Sequence, residues 1–314
     1  MTDGKAKAVY VTGANGFLGS VIARHLAQQP AFDVHPVARR ALPPEVAHLP
    51  AKIHADVYGA EWFDPADKDA VIVHCIGPSN PRAVHISLAK ATGEQVLPHT
   101  AMIETLLAKG WQGRLLYLSS GGAIYGDTPV MPIAEDHPTR PKSTYGLHKL
   151  MIEEAFAFLA RTERFEYASL RVSNPYGSLK VKTGQGVVPI ILNALINDDP
   201  FEIYGDGTAL RDYLHVDDLN AAIDTLALAD FPEPQLVLNI GSGVGVPLND
   251  VISGLETLLQ RKLRCNRRQT QQDVQSNVLD CTRAFNLFGW KAKLPLESGL
   301  KNLVELARAG IIED

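Results

Sequence analysis

Short apolar runs, many of them rich in β-branched residues, recur along this chain, and between them lie longer stretches whose apolar positions return every three or four residues. The first kind reads as a strand buried on both faces, the second as a helix covering it. Lys7-Ala8-Val9-Tyr10-Val11 is the first run, followed by an apolar-periodic helix from Ser20 to Gln28. Further strand candidates follow at helix-separated intervals: Phe32 to Ala38, Lys52 to Asp56, Ala70 to Ile76, Arg114 to Leu118, Tyr167 to Val172 and Leu236 to Ile240. Such alternation predicts an α/β fold with a doubly wound parallel sheet. Pro36 weakens the second strand, because proline removes a ladder donor. After Asn174 the pattern changes to a turn at Pro175-Tyr176-Gly177, a loop and apolar helix between Gly184 and Asp199, and the segments Phe201 to Gly207 and Arg211 to Leu219. The expected organisation is a sheet domain over 1–173, with a return strand near 236–240, and a smaller α/β lobe over 174–314.

A chain of 314 residues, 46% hydrophobic and 21% charged, can bury a large core in one big domain or two unequal ones. Its net charge of -5 argues against a general nucleic-acid binder, whose affinity comes from many cationic contacts with phosphate. No apolar run reaches transmembrane length, and Met1 to Lys5 lead into the first strand without a signal-type segment, so a cytoplasmic protein with no membrane partner is expected. Cys75, Cys265 and Cys281 lack CxxC spacing and suit a reducing compartment. The ten histidines show no HxH or HExxH pattern, so no metal site is indicated.

Two stretches carry chemistry. Thr12-Gly13-Ala14-Asn15-Gly16-Phe17-Leu18-Gly19 lies between the first strand and the first helix. Glycines so placed make the tight turn, let a pyrophosphate approach the backbone and let the helix pack closely on the strand, which is the physics of dinucleotide binding. Where a carboxylate would grip the ribose of NAD stands Ala38, and Arg39-Arg40 follow it. An arginine there accommodates a 2′-phosphate, which favours NADP while leaving NAD open. Ligands of such sheets bind beyond the carboxyl ends of the strands, an edge that includes Asp56, Gly77, Ser119-Ser120 and Ser173-Asn174. The second stretch, Ser143-Thr144-Tyr145-Gly146-Leu147-His148-Lys149, opens an apolar helix that ends near Arg161. Tyr145 and Lys149 lie one turn apart on one face of it. A free phenol has a pKa of about 10, and a neighbouring ammonium is expected to lower it toward that of a general acid/base for an alcohol or ketone.

With these residues in hand, the chain resembles the extended short-chain dehydrogenase/reductases, in particular the nucleotide-sugar epimerases related to UDP-glucose 4-epimerase. The resemblance rests on TGANGFLG at 12–19, SSGGAIYG at 119–126, STYGLHK at 143–149, LRVSNPYG at 170–177 and IYGDGTALRDYLHVDDL at 203–219. It implies a Rossmann domain in which Tyr145 is the acid/base and Lys149 holds the nicotinamide ribose. It further implies that Gly13, Asn15, Gly16, Phe17, Leu18 and Gly19 line the coenzyme pyrophosphate, with Asp56 and Val57 at the adenine. In the lobe, Arg211 resembles the arginine that clamps the sugar-nucleotide diphosphate and Tyr204 the aromatic residue beside the base. Asn174 and Val188 are further substrate contacts so implied, and Arg268 and Asp273 are similar to a distal pair that touches the nucleotide. The implied reaction is 4-epimerisation of a UDP- or dTDP-hexose through transient oxidation at C4. A 4-ketoreductase using external NADPH is the alternative, and a non-enzymatic nucleotide sensor stands behind it. A 4,6-dehydratase is disfavoured, because Gly121-Gly122-Ala123 supplies no acid.

Two departures matter. The family's catalytic Ser or Thr position is Gly121, which leaves Ser120 as the nearest hydroxyl, either a catalytic group reaching the substrate C4 oxygen or one that bonds the loop backbone, and the ribose-gripping acid is absent at Ala38. Asp217-Asp218 are expected to satisfy amides and the macrodipole at a helix start instead of holding a metal. The basic cluster Arg261 to Arg268 lacks interleaved aromatics and reads as solvated surface with one or two diphosphate contacts. The helix at Tyr145 and the apolar segment Val96 to Leu107 would, as the family implies, pair in a homodimer.

Overall fold

A computed structural model describes residues 6–77, 87–177, 186–268 and 276–309. In chain order its elements are β1 (Lys7–Thr12), α1 (Phe17–Ala27), β2 (Phe32–Ala38), β3 (Lys52–Ile53), β4 (Val71–His74), α2 (Leu88–Gln95), α3 (Leu97–Ala108), β5 (Arg114–Ser120), α4 (Gly121–Ile124), α5 (Thr144–Glu163), β6 (Glu166–Val172) and β7 (Asn174–Tyr176). There follow α6 (Val187–Asn197), β8 (Phe201–Tyr204), β9 (Leu210–His215), α7 (Val216–Leu228), β10 (Gln235–Ile240), β11 (Gly245–Pro247), α8 (Leu248–Leu259), β12 (Cys265–Arg268), α9 (Thr282–Phe288) and α10 (Leu296–Arg308).

The large sheet is parallel and has the order β10-β6-β5-β4-β1-β2-β3. Its first six strands follow the 3-2-1-4-5-6 order of a doubly wound dinucleotide-binding sheet, with the switch point between β1 and β4. Val9, Val11, Ile72, Val73, Leu115 and Leu116 are fully buried, as strands covered on both faces require. One unit of the chain comprises 1–124, 141–171 and 223–238. Its core includes Tyr10, Trp62, Ile72, Trp111, Tyr117 and Phe156, each buried at 1% exposure or less. At about 1.5–3 kcal/mol for a fully buried large side chain, this cluster is the main source of the unit's stability.

The other unit comprises 125–140, 172–222 and 239–314. Its core forms where α6, α8 and α10 bring together Val188, Ile191, Leu192, Val251, Leu255, Leu300 and Leu303 beside Phe201 and Tyr213. It carries a three-stranded sheet, β11-β9-β7, and the parallel pair β12-β8.

Three local expectations are corrected. β2 runs through Pro36, which pairs with Val11. Val37 turns its carbonyl to Gly13 and Ala14 while Ala38 turns its own to His54, so Pro36 faces the β3 side, and that pairing begins only at Val37. The missing N–H therefore costs no ladder bond. β3 itself is two residues long, not the five expected from Lys52 to Asp56. Asp217 and Asp218 stand in the first turn of α7, where they suit the macrodipole, but the amides that the Asp218 carboxylate accepts are those of Lys293 and Leu294, at 2.9 and 3.0 Å, and the Asp217 amide donates to His215 Nδ1 at 3.2 Å.

Candidate active site

β5 ends on Ser119-Ser120 at the carboxyl edge of the sheet, and α5 starts where the Ser143 hydroxyl accepts the Gly146 amide at 3.1 Å. A Cβ on Gly146 would lie 2.4 Å from the Ala123 carbonyl oxygen, so only glycine lets α5 lie this close to the segment after β5. Tyr145 is thereby brought beside Ser120. Burial pushes the half-buried Tyr145 phenol above its ordinary value, and the Ser120 hydroxyl pulls it back down.

Lys149 follows one turn along and is 5% exposed. Its ammonium donates to the Leu118 carbonyl at 2.6 Å and sits 4.8 Å above the Tyr117 ring. A Cβ at Gly77 would come within 2.9 Å of Lys149 Nζ, so that glycine leaves room for the ammonium. Burial lowers Lys149 from 10.5 to about 8, against Cys75 and Glu153, which favour the charged form. One of the three donors of the ammonium goes to Leu118, and the Ser120 hydroxyl also acts to lower the phenol.

The depressed lysine fixes a pH dependence. Below about pH 8 it is charged in folded and unfolded chains alike. Between about 8 and 10.5 the unfolded chain alone holds the proton, so stability rises with pH through that window. The urea midpoint of the wild type is therefore expected to gain on that of Lys149→Met between about pH 7.5 and about pH 9.5.

The coenzyme segment is built around Gly13, at φ 77°, whose carbonyl accepts the Gly16 amide at 2.8 Å. A Cβ on Gly19 would stand 2.2 Å from that same carbonyl oxygen, which is why α1 can begin directly on the turn. α1 starts at Phe17 with Gly16 as its N-cap, no side-chain cap and no acid in its first turn, so its leading amides suit an anion. Phe17 is buried, while Asn15 and Leu18 are half-buried. Ala38 is buried and Arg39 and Arg40 are exposed, with the Arg39 charge felt at the Tyr58 phenol. Asp56 accepts the Tyr58 amide at 2.9 Å. The Val57 side chain is in the core and its carbonyl accepts from Trp62 Nε1 at 2.7 Å, so what it offers a ligand is its amide. Ser119 Oγ is buried without a hydrogen-bond partner among the described residues. An anion-ready turn and an orphan hydroxyl on the same edge fit a bound dinucleotide.

In the second unit, Ser173 Oγ is likewise buried without a partner among the described residues. Asn174 Nδ2 donates to the Asp212 carbonyl at 2.9 Å, and half-buried Arg211 donates to the Leu210 carbonyl at 3.1 Å. Tyr204 and Arg268 are register partners on β8 and β12, and Glu202 joins them, 3.2 Å from the phenol and 2.5 Å from the guanidinium. Val188 is packed in the core, and Asp273 lies outside the described residues. Sequence reasoning missed the buried pair Glu153–Arg171 at 2.5 Å and a file of buried polar side chains from Thr12 to Tyr58, since neither has a short spacing to mark it.

A doubly wound sheet with an anion-ready glycine turn and a Ser–Tyr pair at its carboxyl edge defines a dinucleotide-dependent enzyme of the extended short-chain dehydrogenase/reductase class. The sequence model of the NAD dependent epimerase/dehydratase family matches residues 9–241, and the chain belongs to that family. It is 26% identical over 327 residues to the dTDP-4-dehydro-6-deoxyglucose reductase of Escherichia coli, covering 98% of this chain and 99% of that one. Among solved structures it is similar to a UDP-glucose 4-epimerase with UDP-glucose from Thermotoga maritima, with a TM-score of 0.86 and 25% identity over 97% of this chain and 99% of that one. It is also similar to MoeE5 in complex with UDP-glucuronic acid and NAD, with a TM-score of 0.83 and 29% identity over 97% and 100% of the two chains.

Proposed function

We propose that this enzyme is an NAD(P)-dependent nucleotide-sugar 4-epimerase acting on a UDP- or dTDP-linked hexose. The observation that carries the reading is the Tyr145 phenol beside the Ser120 hydroxyl and one helical turn from buried Lys149, an arrangement suited to proton transfer at a secondary hydroxyl. A nicotinamide coenzyme, when bound, accepts and returns the hydride. Gly13, Asn15, Gly16, Phe17, Leu18 and Gly19 hold its pyrophosphate, Asp56 and Val57 its adenine, and Gly77, Ser119, Lys149 and Ser173 the rest. Tyr145 takes the C4 hydroxyl proton as the alcohol is oxidised and gives it back to the 4-keto sugar, while Ser120 donates to the same oxygen. Lys149 orients the ribose. Arg211 holds the substrate diphosphate, with Asn174, Val188, Tyr204, Arg268 and Asp273 as further contacts, so remote binding energy retains the intermediate while its reacting end turns. A homodimer through α3 and α5 belongs to this reading, and Leu97 and Phe158 on those helices are 61% and 56% exposed.

The second reading is an NADPH-dependent 4-ketoreductase, favoured by Arg39 beside Tyr58, by Ala38 and by the Escherichia coli relative. Sugar NMR on purified protein with UDP- and dTDP-hexoses and no added coenzyme separates the two. A C4 epimer forming at constant total sugar supports the epimerase; change only with NADPH and a 4-keto sugar supports the reductase, and silence under both removes both. The preference for NADP has its own test. Arg39→Ala is expected to weaken NADP binding about tenfold relative to NAD, the worth of one charge-assisted bond, and an unchanged ratio would remove the preference.

A further inference from the structure

Four side chains from four segments of the first unit form a hydrogen-bonded file inside it. Thr12 Oγ1 lies 2.7 Å from His74 Nδ1, His74 Nε2 lies 2.7 Å from His99 Nδ1, and His99 Nε2 lies 3.4 Å from the Tyr58 hydroxyl. His74 and His99 are 0% and 1% exposed, with ring centroids 5.0 Å apart and planes at 86°. Phe156 and Tyr117 wall the file, and the charge of Lys149 is felt at both imidazoles. Its two ends are specific places. Thr12 immediately precedes Gly13, where the coenzyme pyrophosphate turn begins, and Tyr58 follows Asp56 and Val57 on the adenine side.

We propose that His74 and His99 are positioning residues of the coenzyme site, a neutral hydrogen-bonded rod that holds the Gly13 turn in register with the Asp56–Tyr58 loop. The inference rests on the coenzyme reading given above. Burial holds both imidazoles neutral, and each bridges two partners through its two nitrogens, so each carries one proton and presents one lone pair. The rod has two self-consistent directions. In one, Tyr58 donates to His99, His99 to His74 and His74 to Thr12; in the other, every donor and acceptor is exchanged. The Arg39 cation beside the Tyr58 phenol favours the oxygen turning its lone pair outward and its proton inward, which selects the first direction. Both histidines are then Nδ1–H tautomers. Removing one member leaves its neighbours buried with an unpaired donor or acceptor, and the two coenzyme segments lose their common strut.

The test compares full-length wild type with His99→Leu, His99→Asn and Tyr58→Phe, measuring dissociation constants for NAD, NADP and UDP and turnover at saturating coenzyme. His99→Leu is expected to weaken the preferred coenzyme about tenfold with turnover and UDP affinity nearly unchanged, the value of one buried bond left unmade. His99→Asn, which keeps a donor and an acceptor, recovers part of that loss, and Tyr58→Phe loses less because it removes only the end of the file. Nitrogen NMR of the histidine-labelled wild type should show two neutral Nδ1–H rings at about pH 6. Equal coenzyme affinity in wild type, His99→Leu and Tyr58→Phe overturns the proposal, as does an imidazolium signal from His74 or His99 in the wild type. A wild type that binds neither NAD nor NADP overturns the coenzyme reading itself, which is a separate result.

Discussion

Replacing Tyr145 by phenylalanine is expected to cut turnover of every accepted sugar nucleotide by about a thousandfold while leaving the urea midpoint and UDP affinity close to wild type. The phenol lies beside Ser120 and is half-buried at the carboxyl edge of the sheet, so in the proposed mechanism its removal takes the proton-transfer group and little packing. Burial holds the phenol up and Ser120 draws it down, and the proposed mechanism places Ser120 in the same proton-transfer unit. Ser120→Ala is therefore expected to lose activity as well, and the double variant should be hardly worse than Tyr145→Phe alone, as groups acting as one unit behave. Steady-state rates of the three variants check this, and full additivity would separate Ser120 from the chemistry.

The second large effect is on stability. Glu153 on α5 is buried, and its carboxylate accepts from Ser169 Oγ at 2.7 Å and from Arg171 Nε and Nη2 at 3.0 and 2.5 Å. The two ionic side chains are only 3% and 6% exposed. Arg171→Leu leaves the carboxylate in the core without its cation and is expected to cost about 3–5 kcal/mol. Adding Glu153→Gln removes the stranded charge, so the double variant should recover much of that loss, a coupling that urea titrations of the two single variants and the double variant measure directly.

The architecture was legible because it is written in local patterns. The runs at Val71 and Leu115 announce buried strands by composition alone, and Tyr145 and Lys149 declare a shared face by being four apart. What the sequence left open or hid depends on distances between elements. Ser120 and Tyr145 meet because β5 continues to Ser120 and Gly146 lets α5 close on Ala123, facts about two ends 25 residues apart. The destination of the Lys149 proton donor is a backbone carbonyl, which no side-chain motif encodes. Asp218 looked like a cap from its position at a helix start, yet its partners lie 75 and 76 residues away. The histidine file is the extreme case, since His74 and His99 lie in a strand and a helix whose periodicities give no sign that the two rings touch.

Pro36 and the brevity of β3 have a consequence for how copies of this protein treat one another. An exposed sheet edge with a full row of free amides is a template for strands from other molecules. Here the last strand is two residues long, and the strand inside it has no amide to give at Pro36, on the side that β3 leaves uncovered. The β3 edge of the large sheet is thus too short and too poor in donors to recruit a foreign strand, and on that side the chain guards against aggregation at the very position where a proline looked out of place.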